Sequence, residues 1–148
     1  MLQGRVIVDA DACPHNCLSI LRNEQQNYGY RLITVASFNH NIDNAEHIIV
    51  GNEKEAADIA VINRVRKGDL VVTQDWGLAA LVLAKGGLAL SPNGIIYRDE
   101  NMDFKLEERS LKAKIRRAGN RTKGPSARQG KDDMRFHKSL TQLLDTMH

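Results

Sequence analysis

Short apolar runs, punctuated by glycine, proline and asparagine, divide the chain into alternating strands and helices. Arg5–Ala10 reads as an aliphatic strand and Arg31–Ser37 as a second. Between them Pro14 opens a helix, at a position where its missing N–H is no loss, and the helix runs to about Asn27, ended by Tyr28-Gly29. A polar loop, "FNHNIDN", precedes a brief apolar run at His47–Val50. Helical spacing follows over Glu53–Lys67, then a buried-type strand over Leu70–Thr73 and a helix over about Gly77–Lys85. Leu88–Leu90 and Ile95–Tyr97 flank "SPNG", a turn sequence, while residues 99–118 and 132–147 read as helices around a loop at 119–131. This alternation predicts an α/β fold, a three-layer sandwich with a mainly parallel central sheet. In such sheets ligands bind just beyond the carboxyl ends of the strands.

That rule directs attention to the aspartates. Asp9 ends the first strand and Asp11 follows two residues later, at the turn into a helix. Either alone suits a helix cap, but two like charges this close repel unless something positive lies between them. Asp58 shares a helix face with Val61, Ile62 and Val65, the apolar side, where a carboxylate needs a hydrogen-bonded partner or a metal. Glu55, one turn back, flanks the same position. Asp75 follows "LVVTQ" at the end of a strand, a natural helix N-cap and also the place expected for a site, with the Thr73 hydroxyl two residues earlier. Asp43, Asp69 and Asp99 read as turn residues. Convergence of Asp9, Asp11, Asp58 and Asp75, with no His or Cys among them, favours a hard cation, Mg²⁺ or Mn²⁺, over zinc.

Composition narrows the setting. The 148 residues suit one domain, 1–148. No stretch approaches the roughly 20 apolar residues of a membrane span, and the N-terminal strand does not read as a signal peptide. Cys13 and Cys17 stand four apart, where neither a bridge nor a zinc or redox site is expected, so reduced thiols in a cytoplasmic protein are the expectation. The net charge of +3 hides an asymmetry: residues 1–104 carry 9 basic and 13 acidic side chains, residues 105–138 carry 12 basic and 4 acidic. An acidic body with a basic C-terminal helix-loop-helix segment, at about 99–148, suits a polyanionic partner. Within it "GNRTKGPSARQG" offers Arg121, Lys123, Ser126 and Arg128, with Lys131 just beyond, as phosphate-gripping groups. Trp76, beside Asp75, reads as packing, or as a stacking surface for a base if exposed. His40, His47, His137 and His148 read as surface residues without partners.

The segments "VDADACP", "GDLVVTQDWGLAALVLAKGGLALSPNG" and "TKGPSARQGKDDMRF" resemble, in order and over nearly the whole chain, the YaiI/YqxD family of small bacterial proteins. The resemblance implies a PIN-like fold, whose members are commonly metal-dependent ribonucleases. It also implies that Asp9, Asp58 and Asp75 are the strand-end and helix acids of that site, with Thr73 beside them. Asp11 and Asp132 match the family's own motifs.

Three functions compete. The first is a Mg²⁺- or Mn²⁺-dependent nuclease acting on RNA or single-stranded nucleic acid, with Asp9, Asp58, Asp75 and Thr73 as its catalytic residues. The second is a non-catalytic nucleic-acid-binding or regulatory module. The third is a haloacid-dehalogenase-like phosphatase, with Asp9 as nucleophile, Asp11 as general acid, and Thr73, Lys85 and Asp132-Asp133 as its later motifs.

Overall fold

The computed structural model describes residues 4–38, 42–53, 55–102 and 127–147. In chain order the elements are β1 (Arg5–Asp9), a 3₁₀ turn (Ala10–Ala12), α1 (His15–Tyr28), β2 (Arg31–Ser37) and β3 (Glu46–Val50). There follow α2 (Ala56–Arg64), β4 (Leu70–Val72), α3 (Trp76–Ala84), β5 (Leu88–Leu90) and α4 (Gly130–Thr146). All five strands are parallel, in the order β3-β2-β1-β4-β5. The expected three-layer α/β sandwich is therefore the one observed. Ile95–Tyr97 turns back as a single antiparallel bridge, Leu90 to Ile96, rather than as a full strand. The helix expected over Glu53–Lys67 is shorter, because Val65 is already extended and ends it.

Although β1 is apolar throughout, its side chains still alternate between two cores. Val6 and Val8 join the cluster built by Leu18 and Leu21 of α1 and by Phe136, Leu140 and Leu144 of α4. Ile7 joins the opposite cluster, with Ala60 and Val61 of α2 and Leu78 and Val82 of α3. Each large aliphatic buried this way contributes about 1.5–3 kcal/mol before entropy is charged against it. Gly29 ends α1 in the left-handed region, φ 77°, with its N–H returned to the Gln25 carbonyl. Gly94 in the "SPNG" turn also has positive φ, 88°, and a Cβ there would meet the Arg135 backbone at 2.7 Å, so the turn lies directly on α4.

The chain builds outward from β1 through β2 to β3, then crosses to β4 and β5 on the other side. The reversal falls between β1 and β4, and a crevice at the carboxyl edge is expected there.

Candidate functional site

The alternation that fills the cores also aims the acids. Asp9 continues the row of Ile7 and Thr73 that of Val71, both on the α2–α3 face. The two meet across the switch point, where the Thr73 hydroxyl donates to Asp9 Oδ2 at 3.0 Å. Thr73 is itself fixed: its Oγ1 accepts from the Asp75 N–H at 3.0 Å, and its carbonyl accepts from the Tyr97 hydroxyl at 2.9 Å. Asp75 caps α3, taking the Gly77 and Leu78 amides on Oδ1 at 2.8 and 3.1 Å. Asp58 arrives from the first turn of α2, half-buried on the core side as its spacing implies. Both helices begin at this edge, so their positive ends face the carboxylates.

Electrostatics binds three of the acids into one group. Burial, opposed by the Thr73 hydrogen bond and joined by the charges of Asp11 and Asp75, raises the Asp9 pKa above its usual value. Asp58 is pushed up to about 6 by burial first, then by the Asp75 charge and a hydrogen bond to Asp75, with smaller contributions from Asp9 and Glu55. Asp58 therefore keeps its proton to a higher pH than an ordinary carboxyl, and its hydrogen bond to Asp75 joins the two side chains. Among the described residues, no Lys, Arg or His forms an ion pair with Asp9, Asp58 or Asp75. Among the same residues, no three His, Cys, Asp or Glu side chains already converge closely enough to cage a metal ion. The arrangement is a hydrogen-bonded pair of carboxyl groups, Asp58 and Asp75, with Asp9 near enough to feel their charge. Its donors are hard oxygens throughout, which suits Mg²⁺ or Mn²⁺ with several retained waters.

Asp11 is differently engaged. Ser37, at the end of β2, donates its N–H to both Asp11 oxygens at 3.0 Å and its hydroxyl to Oδ1 at 3.2 Å. Asp11 therefore ties the turn after β1 to β2 while adding negative charge near Asp9.

Open hollows surround the acids. One of about 790 Å³ is lined by Glu55, Asp58 and Asp75 and by apolar Ile59, Ile62, Leu78 and Leu81. Another, about 420 Å³, is lined by Asp9, Ala12, Gln74, Asp75 and Trp76. Trp76 packs edge-to-face on Tyr97, ring centroids 4.5 Å apart, and is half-buried, so part of it still faces the hollow. Glu55 precedes α2 with φ 72°, a strained value for a residue with a Cβ.

Other sequence expectations have different outcomes. Arg121, Lys123 and Ser126 lie outside the described residues, as do His40 and His148. Lys131 is exposed on the first turn of α4. The Arg128 guanidinium bonds Asp133 at 2.8 Å, Asn93 at 3.1 Å and Cys17 Sγ at 2.9 Å, so a phosphate there would have to displace one of them. Asp132 completes a capping box with Gln129 at the start of α4. Lys85 lies at the far end of α3 from Asp75, its Nζ on the Ile62 carbonyl at 2.6 Å, well away from Asp9. Two readings are corrected. His47 is half-buried, its Nδ1 2.7 Å from the Thr34 hydroxyl, and exposed His137 pairs with Glu24 at 2.9 Å. Asp69 does close the turn 66–69, its N–H on the Arg66 carbonyl at 3.0 Å, but it is more than a turn residue: it is a buried ion-pair partner, joined to Arg5 at 2.7 Å. Sequence reasoning also passed over Ser37 and Tyr97, which orient Asp11 and Thr73 through bonds 26 and 24 residues long in sequence.

Fold and site together define a doubly wound parallel α/β protein with an acidic crevice at its switch point. The chain belongs to the YaiI/YqxD family, described as uncharacterized, whose model matches residues 7–146. It is 44% identical over 140 residues to a UPF0178 protein of Heliobacterium modesticaldum, covering 95% of this chain and 96% of that one. Over 142 residues it is 42% identical to a UPF0178 protein of Exiguobacterium sibiricum, covering 95% and 96%. Over 144 residues it is 44% identical to one from Alkaliphilus metalliredigens, covering 95% and 92%. No solved structure matches. Among the described residues, no helix is long and apolar enough to cross a membrane.

Proposed function

We propose that this chain is a cytoplasmic phosphodiesterase that cleaves RNA or single-stranded nucleic acid with the help of Mg²⁺ or Mn²⁺. The observation that carries this reading is that Asp9, Asp58 and Asp75 stand near enough at the switch point for their charges to raise the pKa values of Asp9 and Asp58, with no cation paired to them among the described residues. Carboxylates gathered against their own repulsion are stabilised by a cation held between them. Bound there, a divalent ion supplies Lewis-acid polarisation of a phosphoryl oxygen and a more acidic water.

Asp58, once ionised, would hold the ion together with Asp75, and Asp9, aimed by the Thr73 hydroxyl, would complete the set. Asp11 would keep the turn of Asp9 in place through Ser37. Trp76 lines the hollow beside Asp75, and its indole is a flat surface on which an entering base would stack. Phosphates further along the strand would meet the basic segment, where Arg121, Lys123, Ser126 and Lys131 are the groups to test and Arg128 anchors its return to α1. The phosphatase reading fits less well, because Lys85 stands at the opposite end of α3 and Asp133 is bonded to Arg128 and Asn16.

Calorimetric titration of Mn²⁺ and Mg²⁺ into the wild type and into an Asp9→Asn/Asp58→Asn double variant tests the reading. Binding by the wild type alone, followed by metal-dependent cleavage of a labelled single-stranded RNA, is the expected result. RNA binding indifferent to metal and to the double substitution would establish the non-catalytic binding module instead.

A further inference from the structure

Cys13 and Cys17 have no part in the proposed chemistry, yet the fold brings three elements together on them. Both are free thiols, Cys13 half-exposed just before Pro14 and Cys17 buried in the first turn of α1. Their side chains share a hydrogen bond. Arg128, 111 residues downstream, places a guanidinium nitrogen 2.9 Å from Cys17 Sγ. That guanidinium is itself held by Asp133 at 2.8 Å and Asn93 at 3.1 Å, and Asp133 also takes the Asn16 amide at 3.0 Å. The Pro92 carbonyl, 3.4 Å from Cys17 Sγ, accepts the S–H when that sulfur carries its proton.

We propose that Cys13 and Cys17 form a peroxide-oxidisable pair that closes to an intramolecular disulfide, with Arg128 positioning the Cys17 sulfur as the resolving group. Hydrogen peroxide reaches the pair at Cys13, the thiol that faces solvent. At rest the bond to Cys17 and burial keep the proton on Cys13, so that proton first passes along the bond to Cys17, whose S–H the Pro92 carbonyl accepts, and Cys13 reacts as the thiolate. Its sulfur is oxidised to the sulfenic acid, Cys13–SOH, and the peroxide is reduced to one water. Cys17 then attacks the Cys13 sulfur, the S–S bond forms, and the hydroxyl leaves with the Cys17 proton as a second water. The two thiols lose two electrons and two protons, which account for the peroxide consumed. The Cys13 hydrogen bond and the Arg128 charge favour a thiolate at Cys17, against burial and Asp133. A bridge across so short a loop is strained and therefore readily reduced again. Closure also draws the Cys17 sulfur out of its bond with Arg128, loosening the tie between α1 and the residues that lead into α4. The inference does not depend on metal binding.

The test is mild peroxide treatment of the full chain, with alkylation and peptide mass spectrometry, for wild type, Cys17→Ser, Arg128→Leu and Arg128→Lys. Circular dichroism confirms that each variant is folded. The wild type is expected to form a Cys13–Cys17 bridge reversed by dithiothreitol, and Cys17→Ser to accumulate a Cys13 sulfenic acid trapped by dimedone. Arg128→Leu should close on the order of tenfold more slowly, with partial rescue by lysine. Independent oxidation of the two cysteines, bridges between two chains, or an unreactive pair would each overturn the proposal. An unchanged closure rate in Arg128→Leu would overturn the role of Arg128.

Discussion

The two ends of the sheet treat buried carboxylates in opposite ways. At the amino end, Asp69 receives the Arg5 guanidinium at 2.7 Å, the Arg5 N–H at 3.3 Å and the Arg66 N–H at 2.8 Å, joining β1 to the turn before β4. At the carboxyl end, Asp9, Asp58 and Asp75 repel one another, and the relief among the described residues is a hydroxyl, two helix amides and the hydrogen bond between Asp58 and Asp75. The first arrangement is complete as it stands, so it serves the fold. The second is left with repulsion that an added cation would relieve, and the proposed function rests on that difference.

The contrast can be broken most severely at Asp69. The side chains of Arg5 and Asp69 are only 12% and 6% exposed, so Asp69→Ala strands a cation and should remove about 3 kcal/mol of stability, read by urea unfolding. At the other end a substitution of similar kind should act in reverse. Asp58→Asn removes a repelling charge and should stabilise the metal-free protein at pH 8 by about 1 kcal/mol, solvent screening having reduced the full effect. The same variant should lose Mn²⁺ binding in calorimetry. A smaller effect follows from pH. The Asp58 pKa is raised from 3.8 to about 6 on folding, so its contribution to stability is complete below 3.8 and lost as pH rises through about 6. Melting temperatures without metal should therefore fall between about pH 4 and 6 in the wild type relative to Asp58→Asn, and Mn²⁺ affinity should rise up to about pH 6 as the competing proton leaves. The smallest change is expected for Asp75→Ser, which keeps an oxygen for the Gly77 and Leu78 amides and should leave stability within ~0.5 kcal/mol while weakening metal binding.

The strands and most of the helices were legible because their signals are local. Apolar runs of the right length, a proline at a helix start and a glycine in the left-handed region each act over a few residues. The same locality exposed Asp9 and Asp75 as strand-end acids, and helical spacing put Asp58 on the inner face. Asp69 was misread because its partner Arg5 is 64 residues away, and no periodicity announces such a pair. Asp11 looked equivalent to Asp9 for the same reason, since the Ser37 amide that engages it belongs to another strand. The cysteine spacing gave no warning of Arg128. In each case the local conformation could be read, and the company a polar side chain keeps across the fold could not.

The placement of α4 has a consequence in time. Phe136, Leu140 and Leu144 close one face of a sheet whose strands all lie between residues 5 and 90, and the Tyr28–Asp145 bond links residues 117 apart. On a ribosome, the strands emerge well before the helix that covers them. Until then Val6, Val8, Leu32 and Val72 lack part of their cover, and a nascent sheet of this kind depends on chaperones or on speed to stay out of aggregates. Contacts this distant along the chain also slow folding, so the sheet gains its full cover on this face only after α4 has been made.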